Sequence, residues 1–280
     1  MVLSTRPATD FSIVQLADIL AFCFRGYPVA LSMTPERFAR RFMAEDLSLP
    51  DSVVWMAGEQ PAAIALVARR DWSARLAAFA VSDTRRGQGL GKRCMAQVVA
   101  QLARDGVRDM RLEVLADNVS GMALYQSLGF EIQQRLLGFS ATDLPDVGDL
   151  SAEERWQAFD PAAFPPLAPG EAQALPWQMA PATLNGLPGA LWRYQNNAWA
   201  AISRLTATPQ LRLLYVAPEL RRQGKALALL QALGRRWPGI STSVCVPERF
   251  TPLFTAAGYA PMALSQYEMR LSFPPVPDVE

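Results

Sequence analysis

The chain has 280 residues, of which 50% are apolar and 19% charged, and its net charge at pH 7 is +1. This length suits one large domain or two of ordinary size, and the composition is that of a globular protein. The near-neutral charge argues against nucleic acid or an anionic membrane as a partner. No apolar run approaches the length of a membrane span, and residues 1–10 lack the apolar core of a secretory signal, so we expect a cytoplasmic protein.

Histidine is absent, and the three cysteines, Cys23, Cys94 and Cys245, are scattered along the chain. Scattered cysteines without a C-x-x-C pair are typical of reduced thiols in the core of a cytosolic protein. The lack of histidine excludes histidine-based catalytic triads and the commonest zinc sites. We therefore expect no metal site, and a general base has to be a carboxylate, a lysine, a tyrosinate or a water.

The N-terminal half begins with two predicted helices. Residues 10–24 read as an apolar helix with Asp10 as its cap, and a second helix follows with Thr34 as its cap and Pro35 in its first turn. The rest of this half is predicted to contain a hairpin over 52–70, a strand over 74–81, a helix over about 91–104, the strand "MRLEVL", the short helix "VSGMALYQSL" and the strand "EIQQRLLGFSA".

Residues 144–184 are predicted to form a connector, because proline is too frequent there for long regular elements. We expect one short helix in it, "SAEERWQAF" at 151–159. After the connector, over 185–280, the element order of the first half returns: a hairpin, the strand "QLRLLYV", an arginine-glycine turn, a helix, the strand "ISTSVCV", a short helix and a closing strand.

The spacing of the second half supports a duplication. The number of residues from Val81 to Gly89 equals the number from Val216 to Gly224. The interval from Tyr125 to the Gly-Phe break likewise equals that from Phe254 to a Gly-Tyr break. Two copies of one mixed α/β unit is the simplest interpretation. The predicted domains are therefore 1–143 and 185–280, joined by the connector.

The stretch "VSDTRRGQGLGKR" places alternating glycines, Gly87, Gly89 and Gly91, between a strand and a helix. The N-terminus of a helix attracts anions, and glycine lets backbone N–H groups converge on an oxyanion because no β-carbon intervenes. A P-loop and a dinucleotide fingerprint both fit this spacing poorly. A tight turn without a ligand is an equal alternative for this loop taken alone.

Two motifs in this half carry a resemblance to a known family. Arg86, Gly89 and Gly91 fit the pattern Arg/Gln-x-x-Gly-x-Gly/Ala, and "LEVLADNVSGMALYQSLGF" fits Asn…Leu-Tyr-x-x-x-Gly-Phe. Together they resemble the acetyl-CoA-binding and second half-site motifs of the GNAT acetyltransferase superfamily. The second copy fits more loosely, with Arg221, Gly224 and Ala226 in the first motif.

The resemblance implies a mixed α/β fold, a mostly antiparallel central sheet flanked by helices, in two tandem GNAT-like domains. It also implies acetyl-CoA (coenzyme A) as cofactor, with the pantetheine arm hydrogen-bonded to the backbone of β-strand residues. The implied cofactor-binding residues are Phe79, Ala80, Val81, Arg86, Gly87, Gln88, Gly89, Leu90, Gly91, Lys92 and Asn118.

For catalysis, the resemblance places Tyr125 at the general-acid position, where its phenol donates a proton to the departing sulfur. The spacing of Glu113 to Tyr125 is similar to that in N-terminal amine acetyltransferases, and this implies Glu113 as the base, acting through water. The alternative is that Glu113 only orders a loop or pairs with Arg111.

The second copy departs from the family pattern where the chemistry lies. Phe254 stands in the place of the acid tyrosine and Pro247 in the place of Asn118. Because phenylalanine has no proton to donate, we expect this copy to keep the fold, with or without a residual coenzyme A site at Arg221–Ala226, and to lack transfer. It would then cover the first domain's sheet or wall the acceptor site.

The acceptor is expected to be a primary amine, in a peptide N-terminus, an amino acid or a small amine, and to meet Arg25 and Tyr27 in the loop 24–33. Covering the core is an equal alternative for both side chains. Two other functions stay open: a non-catalytic acyl-CoA-binding or regulatory protein, and an acyltransferase that uses a longer acyl group or an oxygen acceptor. We expect a monomer that mimics a dimer, or a homodimer.

Overall fold

A computed structural model describes residues 3–27, 34–142, 156–159, 167, 170–187, 189–194, 198–204 and 208–274. The chain divides into two compact units. Unit 1 contains Met1–Val114, Asn118–Gln133 and Glu268–Glu280, and unit 2 contains Leu115–Asp117 and Gln134–Tyr267. This division assigns 134–143 to unit 2 and 268–280 to unit 1, whereas the sequence spacing placed them in the first and second domains.

Unit 1 is a mostly antiparallel sheet with helices packed on it. Its strands β1 to β4 are antiparallel neighbours, and β4 pairs with β5 in parallel. The elements are β1 (Ser4–Pro7), α1 (Ile13–Cys23), α2 (Pro35–Ala44), β2 (Leu47–Ala57), β3 (Gln60–Arg70), β4 (Ser73–Val81), α3 (Leu90–Arg104), β5 (Asp109–Leu115) and α4 (Val119–Gln126).

Unit 2 repeats this plan. Its strands β7 to β10 are antiparallel neighbours, β10 pairs with β11 in parallel, and β11 and β12 pair with β6. The elements are β6 (Glu131–Ala141), β7 (Trp156–Phe159), α5 (Glu171–Ala174), α6 (Pro181–Asn185), β8 (Gly189–Tyr194), β9 (Ala198–Ser203), β10 (Gln210–Val216), α7 (Lys225–Arg236), β11 (Ser241–Thr242), β12 (Val246–Pro247), α8 (Thr251–Ala256) and β13 (Tyr259–Ser272), of which β6 and β13 have residues in both units.

Each unit has its own apolar core, which sets the orientation of its helices. In unit 1, Leu16 and Leu20 of α1 and Phe38 and Phe42 of α2 are fully buried against the sheet. In unit 2, the core is built around Leu229, Leu230 and Leu233 of α7. The mixed α/β fold with a mostly antiparallel sheet in two similar units is therefore confirmed.

Three local predictions need correction. The cap of α1 is Ser12, which forms a reciprocal capping box with Gln15, whereas Asp10 pairs with Arg6. Residues 156–159 of the predicted helix form the strand β7, because they pair with β8, and 151–155 lie outside the described residues. The predicted strand "ISTSVCV" is split into β11 and β12. The predicted cap Thr34 is confirmed, since its hydroxyl accepts a hydrogen bond from the Arg37 N–H.

No helix in these described ranges combines the length and the apolar character needed to cross a membrane.

Candidate functional site

The two parallel strands of unit 1 part from each other halfway along. Pairing between β4 and β5 runs from Ser73–Asp109 to Leu76–Leu112, and Ala77 is then left unpaired as a bulge against β3. A bulge bends its strand and increases its twist. Beyond Ala77, residues 78–81 keep β3 as a partner on one edge, while their other edge faces the opening between β4 and β5.

The opening leads into the glycine turn. Gly87 and Gly89 have φ angles of 75° and 72°, a region that L side chains rarely adopt. A β-carbon built on either glycine would meet no atom within 4 Å, so the space beside this backbone is open. No described residue accepts a hydrogen bond from the N–H groups of Gln88 to Lys92. The turn therefore offers converging N–H groups and the positive end of α3 to an anion.

The walls of the opening come from three elements. A β-carbon built on Gly91 would lie 3.6 Å from Leu124 and 3.7 Å from both Phe79 and Val81. The first turn of α3 is thus in contact with β4 and with α4, which carries Tyr125. The structure brings these predicted residues together, as the two motifs indicated. Gln88 and Lys92 are exposed at the turn, and the Gln88 amide donates to the Thr84 carbonyl.

Arg86 is held by the protein's own backbone. Its Nε donates to the Val81 carbonyl at 2.9 Å, and its Nη2 donates to the carbonyls of Cys23 at 3.0 Å and Arg25 at 2.7 Å. A guanidinium at the end of α1 complements the helix dipole there and joins that helix to the turn. The side chain therefore shapes the turn, and contact between its guanidinium and a cofactor phosphate stays a prediction.

Tyr125 lies on α4 with only 8% of its surface exposed. Its ring packs edge-on against Phe130, with ring centroids 5.8 Å apart. Burial raises the pKa of the Tyr125 phenol, and the neighbouring Tyr27 raises this pKa further. The phenol consequently keeps its proton at physiological pH, which is the state required of a general acid.

Asn118 connects α4 with the segment that follows α1. Its Oδ1 accepts a hydrogen bond from the Gly121 N–H at 2.9 Å and so caps α4, while its Nδ2 donates to the Tyr27 hydroxyl at 2.6 Å. A β-carbon on Gly121 would lie 2.6 Å from the Asn118 amide, which explains the glycine. Both polar atoms of the Asn118 amide have protein partners, so its assignment to the cofactor also stays a prediction.

Glu113 is not an isolated carboxylate. Both of its oxygens accept hydrogen bonds from Arg75, at 3.0 Å and 2.9 Å from Nε and 2.6 Å from Nη2. The Arg75 Nη1 also donates to Glu45 at 2.7 Å, and the three side chains are between 2% and 4% exposed. Sequence reasoning named Arg111 as the alternative partner and missed Arg75, although an arginine within the apolar strand "ARLAAFAV" was a visible signal.

Of the predicted acceptor residues, Tyr27 faces the Asn118 amide, whereas Arg25 is exposed and stacks on Phe22, 4.6 Å from the ring centroid. Residues 28–33 of the predicted acceptor loop lie outside the described residues. The structure thus brings Tyr27 next to the Tyr125 region and leaves Arg25 on the surface.

Unit 2 repeats the turn in detail. Its bulge falls at Arg212, its left-handed residues are Arg222 (φ 63°) and Gly224 (φ 74°), and the Arg221 Nε donates to the Val216 carbonyl as the Arg86 Nε does to Val81. Gln223 donates to the carbonyl four residues before it, as Gln88 does. The duplication therefore extends to the hydrogen bonds of the turn.

The aromatic pair of unit 1 also recurs in unit 2, with the hydroxyl on the other ring. Phe254 packs edge-on against Tyr259 with centroids 5.7 Å apart, as Tyr125 does against Phe130. The Tyr259 hydroxyl donates to the Leu230 carbonyl at 2.9 Å. In unit 2 the phenol is thus used to fasten the core, and the ring on the short helix carries no acidic proton.

The fold and the turn define a duplicated α/β unit with a strand–turn–helix whose N–H groups face open space, and comparison with known proteins finds a family that part of the chain resembles. Residues 13–130 match the model described as the Acetyltransferase (GNAT) family. This region, which is under half of the chain, is similar to the GNAT acetyltransferase family.

Other proteins resemble this chain at lower identity. A mycothiol acetyltransferase of Brachybacterium faecium is 34% identical over 108 residues, which are 36% of this chain and 31% of that relative, so the match spans under a third of the relative. A GCN5-related N-acetyltransferase from Sphaerobacter thermophilus is similar in fold, with a TM-score of 0.63 and 19% identity, over 98% of this chain and 97% of that one. A tandem GNAT protein from the clavulanic acid biosynthesis pathway has a TM-score of 0.63 and 14% identity, over 98% of this chain and 100% of that one. These two likenesses support a tandem GNAT fold.

Proposed function

We propose that unit 1 is an acetyl-CoA-dependent N-acetyltransferase that transfers the acetyl group directly to a primary amine. One arrangement carries this proposal. A bulge at Ala77 is followed by an opening between β4 and β5, and the opening leads to a turn whose N–H groups from Gln88 to Lys92 have no acceptor among the described residues. A diphosphate and an extended thioester arm are the ligand parts that such a site fits.

The open space beside Gly87 and Gly89 supports a diphosphate at this turn. The backbone of Phe79, Ala80 and Val81, on the strand edge facing the opening, would hold the pantetheine arm. The bound acetyl-CoA would supply the thioester whose acetyl group is transferred. Side chains of Phe79, Val81 and Leu124 would exclude water along the arm, because they line the contact with Gly91.

Tyr125 is proposed as the general acid that holds a proton on Oη for the leaving sulfur. Burial keeps this phenol neutral, and the packing of its ring on Phe130 fixes its orientation. Asn118 positions the acid indirectly, since its side chain caps the helix that carries Tyr125 and bonds to Tyr27.

Glu113 stays a predicted base, and its hydrogen bonds bear on how it could take up the amine proton. Both oxygens accept hydrogen bonds from Arg75 and the side chain is 4% exposed, so a water that relays the amine proton would have to reach a buried carboxylate. The contacts support a positioning role more directly, because the pair joins β4 to β5 where these strands begin to part. A water is then the remaining proton acceptor.

The acceptor is proposed to be a small amine, an amino acid or a peptide N-terminus that approaches beside Tyr27. The Tyr27 hydroxyl accepts a hydrogen bond from the Asn118 amide at 2.6 Å, which holds this side chain beside the helix that carries Tyr125. Since the relative from Brachybacterium faecium is named for mycothiol, mycothiol-type compounds belong in the acceptor panel.

The test is thiol release from acetyl-CoA with a panel of amines, comparing the full chain with Tyr125→Phe. We expect turnover with at least one amine and a loss of about 100-fold in kcat for the variant, with coenzyme binding retained. Tyr267→Phe, in unit 2, is the matched control and should keep full turnover. A chain that binds coenzyme A and releases no thiol with any amine would instead be a binding protein, and faster release from longer acyl-CoA would identify a different acyl donor.

A further inference from the structure

The buried pair of Arg75 and Glu113 continues through two further charged side chains to helix α2. The Arg75 Nη1 donates to Glu45 Oε2 at 2.7 Å, and the other oxygen of Glu45, Oε1, accepts a hydrogen bond from Arg41 Nε at 3.4 Å. Glu45 directly follows the last residue of α2 and is buried, whereas Arg41, one turn earlier, is partly exposed. The four side chains therefore form a line of alternating charges from the surface of α2 to β5.

This line crosses unit 1 where β4 and β5 part. Pairing between the two strands ends at Leu76–Leu112, so Arg75 lies one residue before the end of the pairing and Glu113 one residue beyond it. The hydrogen bonds from Arg75 Nε and Nη2 to the Glu113 carboxylate span the start of the opening. A planar guanidinium that binds a carboxylate through two nitrogens fixes both distance and orientation. The width of the opening at this point therefore depends on how the guanidinium is held.

Glu45 holds this guanidinium from the side of α2. It accepts from Nη1, a nitrogen other than the two that bind Glu113, so the two carboxylates grip Arg75 from different directions. Apolar residues of similar volume often stabilise a core as well as a buried ion pair does. What the charged groups add here is direction, because each hydrogen bond requires a particular placement of the guanidinium.

We propose that Glu45 is a positioning residue for acetyl transfer: through Arg75 it sets the separation of β4 and β5 at the start of the opening and ties that separation to α2. This inference rests on the function proposed for unit 1, in which the thioester arm lies in the opening. Misplacing a reacting group by about 1 Å can lower a rate about 100-fold, so a small change in the opening is enough to alter kcat. Glu45 acts only through Arg75 and contacts no reacting atom.

The experiment compares the full chain with Glu45→Ala and Glu45→Gln in thiol release from acetyl-CoA with the amine panel. We expect Glu45→Ala to lower kcat about tenfold and to leave the KM for acetyl-CoA within about twofold, because the turn at Gln88–Lys92 is unchanged. Glu45→Gln should recover most of this loss, since its amide oxygen still accepts a hydrogen bond from Arg75. If circular dichroism shows that Glu45→Ala does not fold, Glu45→Asp replaces it. Aspartate keeps the charge but is one methylene shorter, and it should lower kcat in the same way.

Asp109→Ala is the matched control for a purely structural effect. Asp109 is a buried carboxylate of β5 that lies at the other end of the pairing with β4, where it accepts hydrogen bonds from Ser73 and Arg270. Its removal should lower the stability of unit 1, as measured by urea unfolding, and leave kcat within about twofold of the parent.

Hydrogen–deuterium exchange gives a second readout, which does not need turnover. Peptides over 76–82 report on the edge of β4 at the opening, and peptides over 96–104 in α3 are the internal reference. We expect Glu45→Ala to speed exchange over 76–82 about tenfold without changing 96–104, because the strand edge loses its link to α2. Asp109→Ala should leave exchange over 76–82 as in the parent.

Three results would each overturn the proposal: a parental kcat in Glu45→Ala, an equal loss of kcat in Asp109→Ala, or no recovery in Glu45→Gln. A parent chain that releases no thiol with any amine would refute the function proposed for unit 1, and exchange over 76–82 then decides this inference by itself. Faster exchange there in Glu45→Ala supports the link from α2 to the opening, and parental exchange refutes it.

Discussion

Arg75 and Glu113 form a buried pair in which the guanidinium donates to both carboxylate oxygens, with the shortest distance 2.6 Å at Nη2. The pair joins β4 to β5 next to the point where their pairing ends. Glu45 at the end of α2 accepts a further hydrogen bond from Arg75, at 2.7 Å from Nη1. The carboxylate proposed as base is therefore part of the framework of unit 1.

Removing the charge of Glu113 should destabilise the chain. We expect Glu113→Gln to lower the free energy of unfolding by about 3 kcal/mol, because a buried guanidinium loses one of its two carboxylates. Urea unfolding measures this change, and Glu131→Gln, at an exposed site in the same unit, should alter it little.

The same variant separates positioning from base catalysis. A positioning role predicts that kcat falls with the shape of its pH profile unchanged. Loss of the acidic limb of the kcat/KM profile in Glu113→Gln would instead identify Glu113 as the base.

The pH dependence of turnover should reflect the burial of Tyr125. Because burial raises the pKa of this phenol above its ordinary value of about 10, the acid form persists through the alkaline range. We expect kcat to rise as the acceptor amine loses its proton and to show no fall up to about pH 10. A fall in kcat between pH 8 and 9 that Tyr125→Phe abolishes would contradict this assignment.

The two aromatic pairs carry the hydroxyl on different rings, on the short helix in unit 1 and after it in unit 2, and this difference can be tested directly. Phe254→Tyr should leave turnover within about twofold of the parent, because a phenol in unit 2 would not serve the acid of unit 1. Activity gained in Phe254→Tyr, or retained in Tyr125→Phe, would transfer the chemistry to unit 2.

Gly89 should be required both for the fold of the turn and for coenzyme binding. Gly89→Ala places a β-carbon at φ 72°, and we expect it to cost about 1–2 kcal/mol of stability. Gly58→Ala is a matched control, since Gly58 has φ 65° and equally open surroundings but lies in the turn between β2 and β3. Both variants should lose similar stability in urea, and calorimetry should show weaker coenzyme A binding to unit 1 in Gly89→Ala alone. Equal coenzyme A binding by the two variants would show that this turn does not hold the cofactor.

The reactivity of the buried thiols measures whether the cores stay closed in the native state. Burial raises the pKa of Cys23 and of Cys94 to about 12, so both stay protonated and unreactive in the native state. We expect a disulfide reagent at pH 8 to modify them only after urea unfolds the chain. Rapid modification of native protein, located by mass spectrometry, would show that these cores open.

Sequence reasoning succeeded where the signal is local. The cap at Thr34, the strand–turn–helix over 74–104 and the second arginine-glycine turn each depend on short-range patterns of glycine, proline and hydrophobic spacing. It failed at 156–159, where four residues pair with β8 although their own pattern favours a helix. Edge pairing of a short segment is decided by its neighbour, which the local pattern does not contain.

The sequence by itself determined the duplication, the two turns and the presence of Tyr125 in one copy and Phe254 in the other, because these follow from residue identity and spacing. Only the tertiary structure decided the partners of the polar side chains. Arg75 joins Glu113 and Glu45, Asn118 joins Tyr27, and Arg86 joins the end of α1 to the turn. These pairs connect residues far apart in the chain, and a buried charge or amide takes whichever partner the packing of the strands and helices brings within hydrogen-bond distance.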